Sequence, residues 1–153
     1  MKFFCPLIVV RDLARSRKFY EEVLGQEVIL DFGANITFDG NFSLQSLDSW
    51  QKFIEKEKAA IAFGSNSFEL YFEENRFDEF LNKLSACPIE YIHPLVEYSW
   101  GQRVVRFYDP DHHIIEVGES MTCVVHRFYD QGLSIDEIAS RTQHPVEFVK
   151  NCL

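Results

Sequence analysis

A strand–helix phrase occurs twice in this chain, and that repetition limits what the chain can fold into. The first copy runs from Phe4 to Gly25 (FCPLIVVRDLARSRKFYEEVLG) and the second from Phe68 to Leu84 (FELYFEENRFDEFLNKL). Each has an apolar strand, a polar break and an amphipathic helix. A single offset of 64 residues carries Leu13 onto Phe77, Tyr20 onto Leu84 and Cys5 onto Glu69. A repeat this short cannot bury its own apolar face, so two copies are expected to pack together. A groove between paired sheets is also a natural ligand site.

The local patterns extend each copy in the same way. Residues 3–10 read as a buried strand, and Asp12 is placed to cap a helix over 13–24 that Gly25 ends. Three short strands follow, Val28–Phe32, Asn35–Phe38 and Phe42–Leu47, with Asp39-Gly40 as a hairpin signal between the last two. Ser49–Lys58 reads as a short helix or ordered connection. In the second copy Phe68–Glu73 alternates, with Leu70 and Phe72 on one face and Glu69 and Tyr71 on the other. Asn75 is expected to cap the next helix. Glu90–Ile92, Gln102–Tyr108 and Ile114–Val117 read as strands, with Asp109-Pro110-Asp111 as a turn. Beyond Ser120 the spacing predicts three helices: one ended by Gly132, one opened by a Ser134/Glu137 capping box, and one whose first turn holds Pro145.

Composition narrows the function classes. The 46% apolar fraction supports a sizeable core, and fifteen Phe against two Met make it a stiff aromatic one. A net charge of −9 with no cluster of Lys or Arg argues against nucleic acid and anionic membrane as partners. The opening MKFFCPLIVVRD reads as a strand and not a secretory leader, and no apolar run reaches membrane-spanning length. Cys5, Cys87, Cys123 and Cys152 lie far apart without a CxxC pair, which fits reduced thiols and a cytoplasmic location.

The two phrases, together with WGQRVVRFYDPDHHIIEVGE from Trp100 to Glu119, resemble the vicinal-oxygen-chelate superfamily, which includes glyoxalase I, bleomycin-resistance proteins and extradiol dioxygenases. The resemblance covers residues 3–119. It implies an α+β fold of two βαβββ modules forming a curved sheet groove, about 1–48 and 64–119, within a domain of 1–119. A helical extension, 120–153, follows. It also implies a small-molecule ligand and a homodimer. In the superfamily's enzymes a divalent metal sits in the groove, held from the first and fourth strands of each module. Those positions here hold Cys5, Gln45, Glu69 and Glu116. Gln45, Glu69 and Glu116 are compatible with a hard or borderline cation (Ni, Zn, Mn or Mg), whereas Cys5 is a soft departure and is read as a ligand-binding residue. On this reading the metal polarises a carbonyl and Glu69 or Glu116 moves the proton, giving a glyoxalase-like lyase or isomerase. The alternative is a metal-free, drug- or metabolite-sequestering protein of the resistance type; the fold hosts both.

The residues leave other readings open. Two carboxylates facing one groove repel and need a compensator, and Arg103 or Arg106 would serve as well as a metal. Glu69 and Glu116 can equally be solvent-facing or arginine-paired. Trp100 and Arg103 are candidates for ligand binding, or for capping the core and pairing with a carboxylate. His112 and His113 point to opposite faces of an extended chain, so they are read as turn residues and not as a metal pair. His93, before Pro94, is read as a loop residue. The segment LSIDEIASRTQHPVEFVKNCL resembles a helix-turn-helix, but residues 121–153 hold Arg127, Arg141 and Lys150 against Asp130, Asp136, Glu137 and Glu147. That balance opposes DNA binding, including a ligand-sensing regulator, and favours helices that cover apolar surface.

Overall fold

The computed structural model describes all residues, 1–153, and divides them into two compact units. The first comprises Met1–Phe68 with Asp109–His113, and the second Glu69–Tyr108 with Ile114–Leu153. Each contains one βαβββ module.

In the first unit, β1 (Leu7–Val10) leads into α1 (Leu13–Glu22), followed by β2 (Val28–Asp31), β3 (Asn35–Phe38) and β4 (Ser43–Ser46). The sheet order is β1-β4-β3-β2, with β1 parallel to β4 and the other pairs antiparallel. The first strand is shorter than its apolar run, because Pro6 has no N–H to give a ladder; only its carbonyl engages, accepting from Ser43 N at 3.0 Å. Cys5 therefore precedes the strand, and Phe3 and Phe4 are exposed. The β3–β4 hairpin takes three residues, and the left-handed position falls on Asn41 (φ 58°), one beyond Gly40. Then come α2 (Leu47–Phe53) and a short 3-10 turn, Lys58–Ala60.

The core of this unit lies between the sheet and α1. Ile8, Val10, Ile36, Phe38 and Leu44 alternate onto one face and meet Tyr20, which is wholly buried. The Tyr20 ring packs 5.6 Å from Phe38 and 5.3 Å from Phe42, each such ring contributing about 2–3 kcal/mol by burial. Its hydroxyl is satisfied by Asp109 Oδ2 at 3.1 Å. Burial first, and then the Asp109 charge, hold the Tyr20 phenol well above its ordinary pKa. Asp111, fully buried, accepts from Arg11 N at 3.0 Å and pairs with Arg11 and Arg15, so the Asp-Pro-Asp turn anchors the start of α1. His112 takes the left-handed conformation of this turn (φ 64°), and His113 bonds back to Asp109 at 2.9 Å. Both histidines thus belong to the turn.

The second unit repeats the topology: β5 (Glu69–Glu74), α3 (Phe77–Ser85), β6 (Tyr91–Glu97), β7 (Arg103–Tyr108) and β8 (Ile114–Glu119), in the order β5-β8-β7-β6. The third of these is more than twice the length expected, continuing through His93 and Pro94 as an edge strand with register shifts, where a missing N–H is tolerated. Asn75 does not cap α3. The helix starts at Phe77, so the cap position is Arg76, whose N–H is taken by the Glu74 carboxylate at 2.7 Å.

Three helices complete this unit: α4 (Met121–Asp130), α5 (Ile135–Thr142) and α6 (Val146–Cys152). Ser120 caps α4, Ser134 and Glu137 form the expected capping box, and Gly132 breaks the chain between α4 and α5 with φ 86°. Met121, Val124, Val125, Phe128, Ile138, Ala139 and Val149 make their shared core, against which Trp100 packs. No helix is long and apolar enough to cross a membrane.

Candidate functional site

Strand alternation in the second unit puts Leu70 and Phe72 on one side of β5 and Glu69, Tyr71 and Glu73 on the other. The register then sets Tyr71 beside Glu116 on β8, and Glu116 beside Arg106 on β7. Arg106 is the hub of this polar face. Its Nε donates to Glu69 Oε2 at 3.1 Å, and its Nη2 forms an ion pair with Glu116 Oε2. Its Nη1 donates to the Tyr98 hydroxyl and lies 3.2 Å from His93 Nε2. Glu116 is buried, and its Oε2 has no hydrogen-bond partner apart from this ion pair. Burial works against the Arg106 charge, but the hydrogen bonds of Tyr98 and Glu69 outweigh it and raise its pKa.

A second set of contacts borders the first. The Gln102 amide donates to the Tyr71 hydroxyl at 2.7 Å and to the Glu119 carbonyl at 3.0 Å, and accepts from Trp100 Nε1 at 3.2 Å. Tyr71 donates to Glu73 at 2.9 Å. Burial pushes its phenol up to about 12; the Gln102 donor opposes this and the Glu73 carboxylate adds to it. Tyr98 and Trp100 stack with centroids 4.4 Å apart and planes at 20°.

The corresponding face of the first unit carries no charge. Cys5 Sγ lies 3.6 Å from Ser43 Oγ, which in turn lies 2.9 Å from Thr37 Oγ1. Gln45 is engaged elsewhere: its Oε1 accepts from Asn35 at 2.9 Å, and its amide donates to the Ala34 carbonyl at 3.0 Å and to Ser49 Oγ. The 64-residue offset equates Leu7 with Tyr71, and Ser43 is the β4 partner of Leu7 as Glu116 is the β8 partner of Tyr71. The register counterpart of Glu116 is therefore Ser43, not Gln45.

Arg103 faces the other side of β7, where Nε and Nη2 clasp Glu119 at 3.1 Å each and Nη1 meets Asp78 at 2.9 Å. It is a structural partner of the buried Glu119. Sequence reasoning passed over Tyr98 and read His93 as a loop residue. Continuing the alternation of β6 through Pro94 would have found His93.

The sequence profile of the glyoxalase-like domain matches residues 3–122. The chain belongs to the vicinal-oxygen-chelate superfamily, within its glyoxalase-like family. A crystal structure of a protein of unknown function from Agrobacterium tumefaciens strain C58 is 41% identical, with a TM-score of 0.72 over 78% of this chain and 94% of that one. A glyoxalase/bleomycin resistance protein/dioxygenase from Nocardioides is 20% identical, with a TM-score of 0.61 over 78% and 83%. A lactoylglutathione lyase from Agrobacterium tumefaciens is 21% identical, with a TM-score of 0.59 over 78% and 95%. The last two share the fold. No curated protein matches the chain.

Members of this superfamily often use a divalent metal, so the donor set of this glyoxalase-like chain bears testing for one. Neither module gathers three or more His, Cys, Asp or Glu side chains in a geometry that would hold an ion. In the second module the reason is specific: Glu69 and Glu116 already share the guanidinium of Arg106. A cation added between them would have to displace a bound cation and strand it against its own charge. As arranged, these residues fit an internal arginine and not a metal.

Proposed function

We propose that this glyoxalase-like protein is a metal-independent binder of a small organic molecule, of the sequestering kind and not a lyase or isomerase. The observation that carries the reading is Arg106, which supplies the positive charge that Glu69 and Glu116 require. Both carboxylates are then engaged by its guanidinium. The face they share offers the rings of Tyr71 and Tyr98 and an excess of carboxylate, Glu69 and Glu73 both being exposed. That chemistry suits a flat ligand bearing hydrogen-bond donors or positive charge. The homodimer belongs to the same proposal: edge strands β2 and β6 expose Ile29, Leu30, Tyr91, Ile92, Leu95 and Val96, apolar edge of the kind a partner chain covers. The four free thiols support a reducing, cytoplasmic setting.

Three measurements test the reading. Elemental analysis of protein purified without chelators is expected to find far less than one metal per chain. A titration with 9-aminoacridine, a flat cation, is expected to show saturable binding, while the hemithioacetal of methylglyoxal and glutathione is not turned over with or without added nickel. Stoichiometric metal together with turnover would overturn it.

A further inference from the structure

The glyoxalase-like profile ends at residue 122, so most of α4 and all of α5 and α6 lie beyond it. Helix α4 meets the turn Tyr98–Gln102 between β6 and β7, which borders the polar face. The turn is tight: Tyr98 N donates to Gln102 O at 3.0 Å, and Gly101 N to Tyr98 O at 2.8 Å. Gly101 adopts φ 90°, and a Cβ built on it would lie 2.1 Å from Cζ of Phe128. Glycine is required twice over here, by its backbone and by the ring pressed against its α-carbon. Arg127 donates to the carbonyl of the same glycine and to Glu119 Oε2 at 2.9 Å. Arg127 and Arg141 both approach Glu97 at the end of β6, and Arg141 stands 4.2 Å over the Phe128 ring.

From this turn three side chains lead to the proposed binding face. Trp100 rests on the apolar core of the extension and stacks on Tyr98. Tyr98 bonds to Arg106, and Gln102 bonds to Tyr71. The network is continuous from Phe128 and Arg127 to the guanidinium hub, and all of it lies within one compact unit.

We infer that the C-terminal extension is a positioning device: Phe128 and Arg127 fix the Tyr98–Gln102 turn, and through it the places of Tyr98, Arg106 and Tyr71 on the binding face. The consequence for ligand affinity rests on the function proposed above; the positioning itself does not. Phe128 and Arg127 act through the turn and touch no ligand.

The test uses the 153-residue chain carrying Trp50→Phe, so that Trp100 is the only tryptophan. Emission and acrylamide quenching of Trp100 are read first without ligand, in Phe128→Ala, Phe128→Leu and Arg127→Gln. Ile138→Val serves as the control, because Ile138 lies in the same helical core. Phe128→Ala and Arg127→Gln are expected to shift Trp100 emission to the red and increase quenching. Phe128→Leu should restore most of the wild-type signature, and Ile138→Val should lower melting temperature without moving it. 9-Aminoacridine binding is then expected to weaken roughly tenfold in Phe128→Ala, equivalent to about 1.4 kcal/mol. Should Phe128→Ala fail to fold, Arg127→Gln decides by the same readouts. An unchanged Trp100 signature in folded Phe128→Ala or Arg127→Gln overturns the inference, as does an equal shift in Ile138→Val. Absence of 9-aminoacridine binding in the parent protein counts against the proposed function alone, because the Trp100 signature is recorded without ligand.

Discussion

The two modules share a topology and differ in what they put at the same register position. In the first, Ser43 lies between Leu7 and Thr37, and the row Cys5–Ser43–Thr37 is neutral. In the second, Glu116 lies between Tyr71 and Arg106, and the row Glu69–Arg106–Glu116 is charged. A neutral row needs only short hydroxyl contacts between neighbouring strands. A charged row holding a buried carboxylate needs a countercharge, and the countercharge needs supports of its own, here Tyr98 and His93. The module with the charged row is also the one braced by three extra helices. Duplicated backbone thus leaves the chemistry of each half to a few side chains, and the demanding half carries the added scaffold.

Matched substitutions in the two rows put this contrast to the test. The largest effect is expected for Arg106→Met, which leaves Glu69 and Glu116 facing each other uncompensated; a loss of about 3 kcal/mol in urea unfolding is expected. The same variant should gain affinity for Mn or Zn, seen as a metal-dependent rise in melting temperature that the parent protein lacks. Its register counterpart, Thr37→Val, should cost about 1 kcal/mol and gain no metal response. Equal losses at the two positions would erase the distinction between the modules.

Next in size is the acid limb of stability, which the second module should dominate. Burial pushes the Glu119 carboxyl up, but hydrogen bonds from Arg103 and Arg127 outweigh it and hold the pKa below the ordinary value of 4.5. A depressed folded pKa gives stability that is present above 4.5 and lost as pH falls through the folded value. Glu119→Gln should therefore be less stable than the parent near neutrality, with the two curves converging in acid. Chemical denaturation from pH 7 to pH 3 reads this directly, and parallel curves would place the acid sensitivity elsewhere.

The smallest effect is spectroscopic. The ultraviolet difference spectrum between the parent protein and Tyr71→Phe should show phenolate only as pH approaches about 12. Ionisation near the free-tyrosine value would mean that the hydroxyl is not buried as described.

Local chemistry was legible in the sequence wherever the signal lay within a few residues. Asp12 caps α1 by accepting from Arg15 N at 3.0 Å, and the Ser134/Glu137 box opens α5. Alternation along β5 put Glu69 and Tyr71 on the face opposite Leu70. Failures came where a neighbour in space outbid a neighbour in sequence. Asn75 does not cap α3, because the helix starts at Phe77, whose ring is buried in the core, and the cap position falls on Arg76. The edge strand β6 ran on through Pro94 because its ladder partner β7 was there to pair with.

The sequence by itself determined the repeat, the two βαβββ modules and the helical extension, because hydrophobic period and capping act over a turn or two of chain. It also placed Glu69 and Glu116 on strands. Only the tertiary structure decided that Ser43, not Gln45, is the counterpart of Glu116, since strand register is set by pairing between segments 36 residues apart, Leu7 with Ser43. It likewise put Arg106, and not Arg103, beside the two carboxylates. Which cation meets two carboxylates depends on which strand lies beside them, and β7 brings Arg106 there.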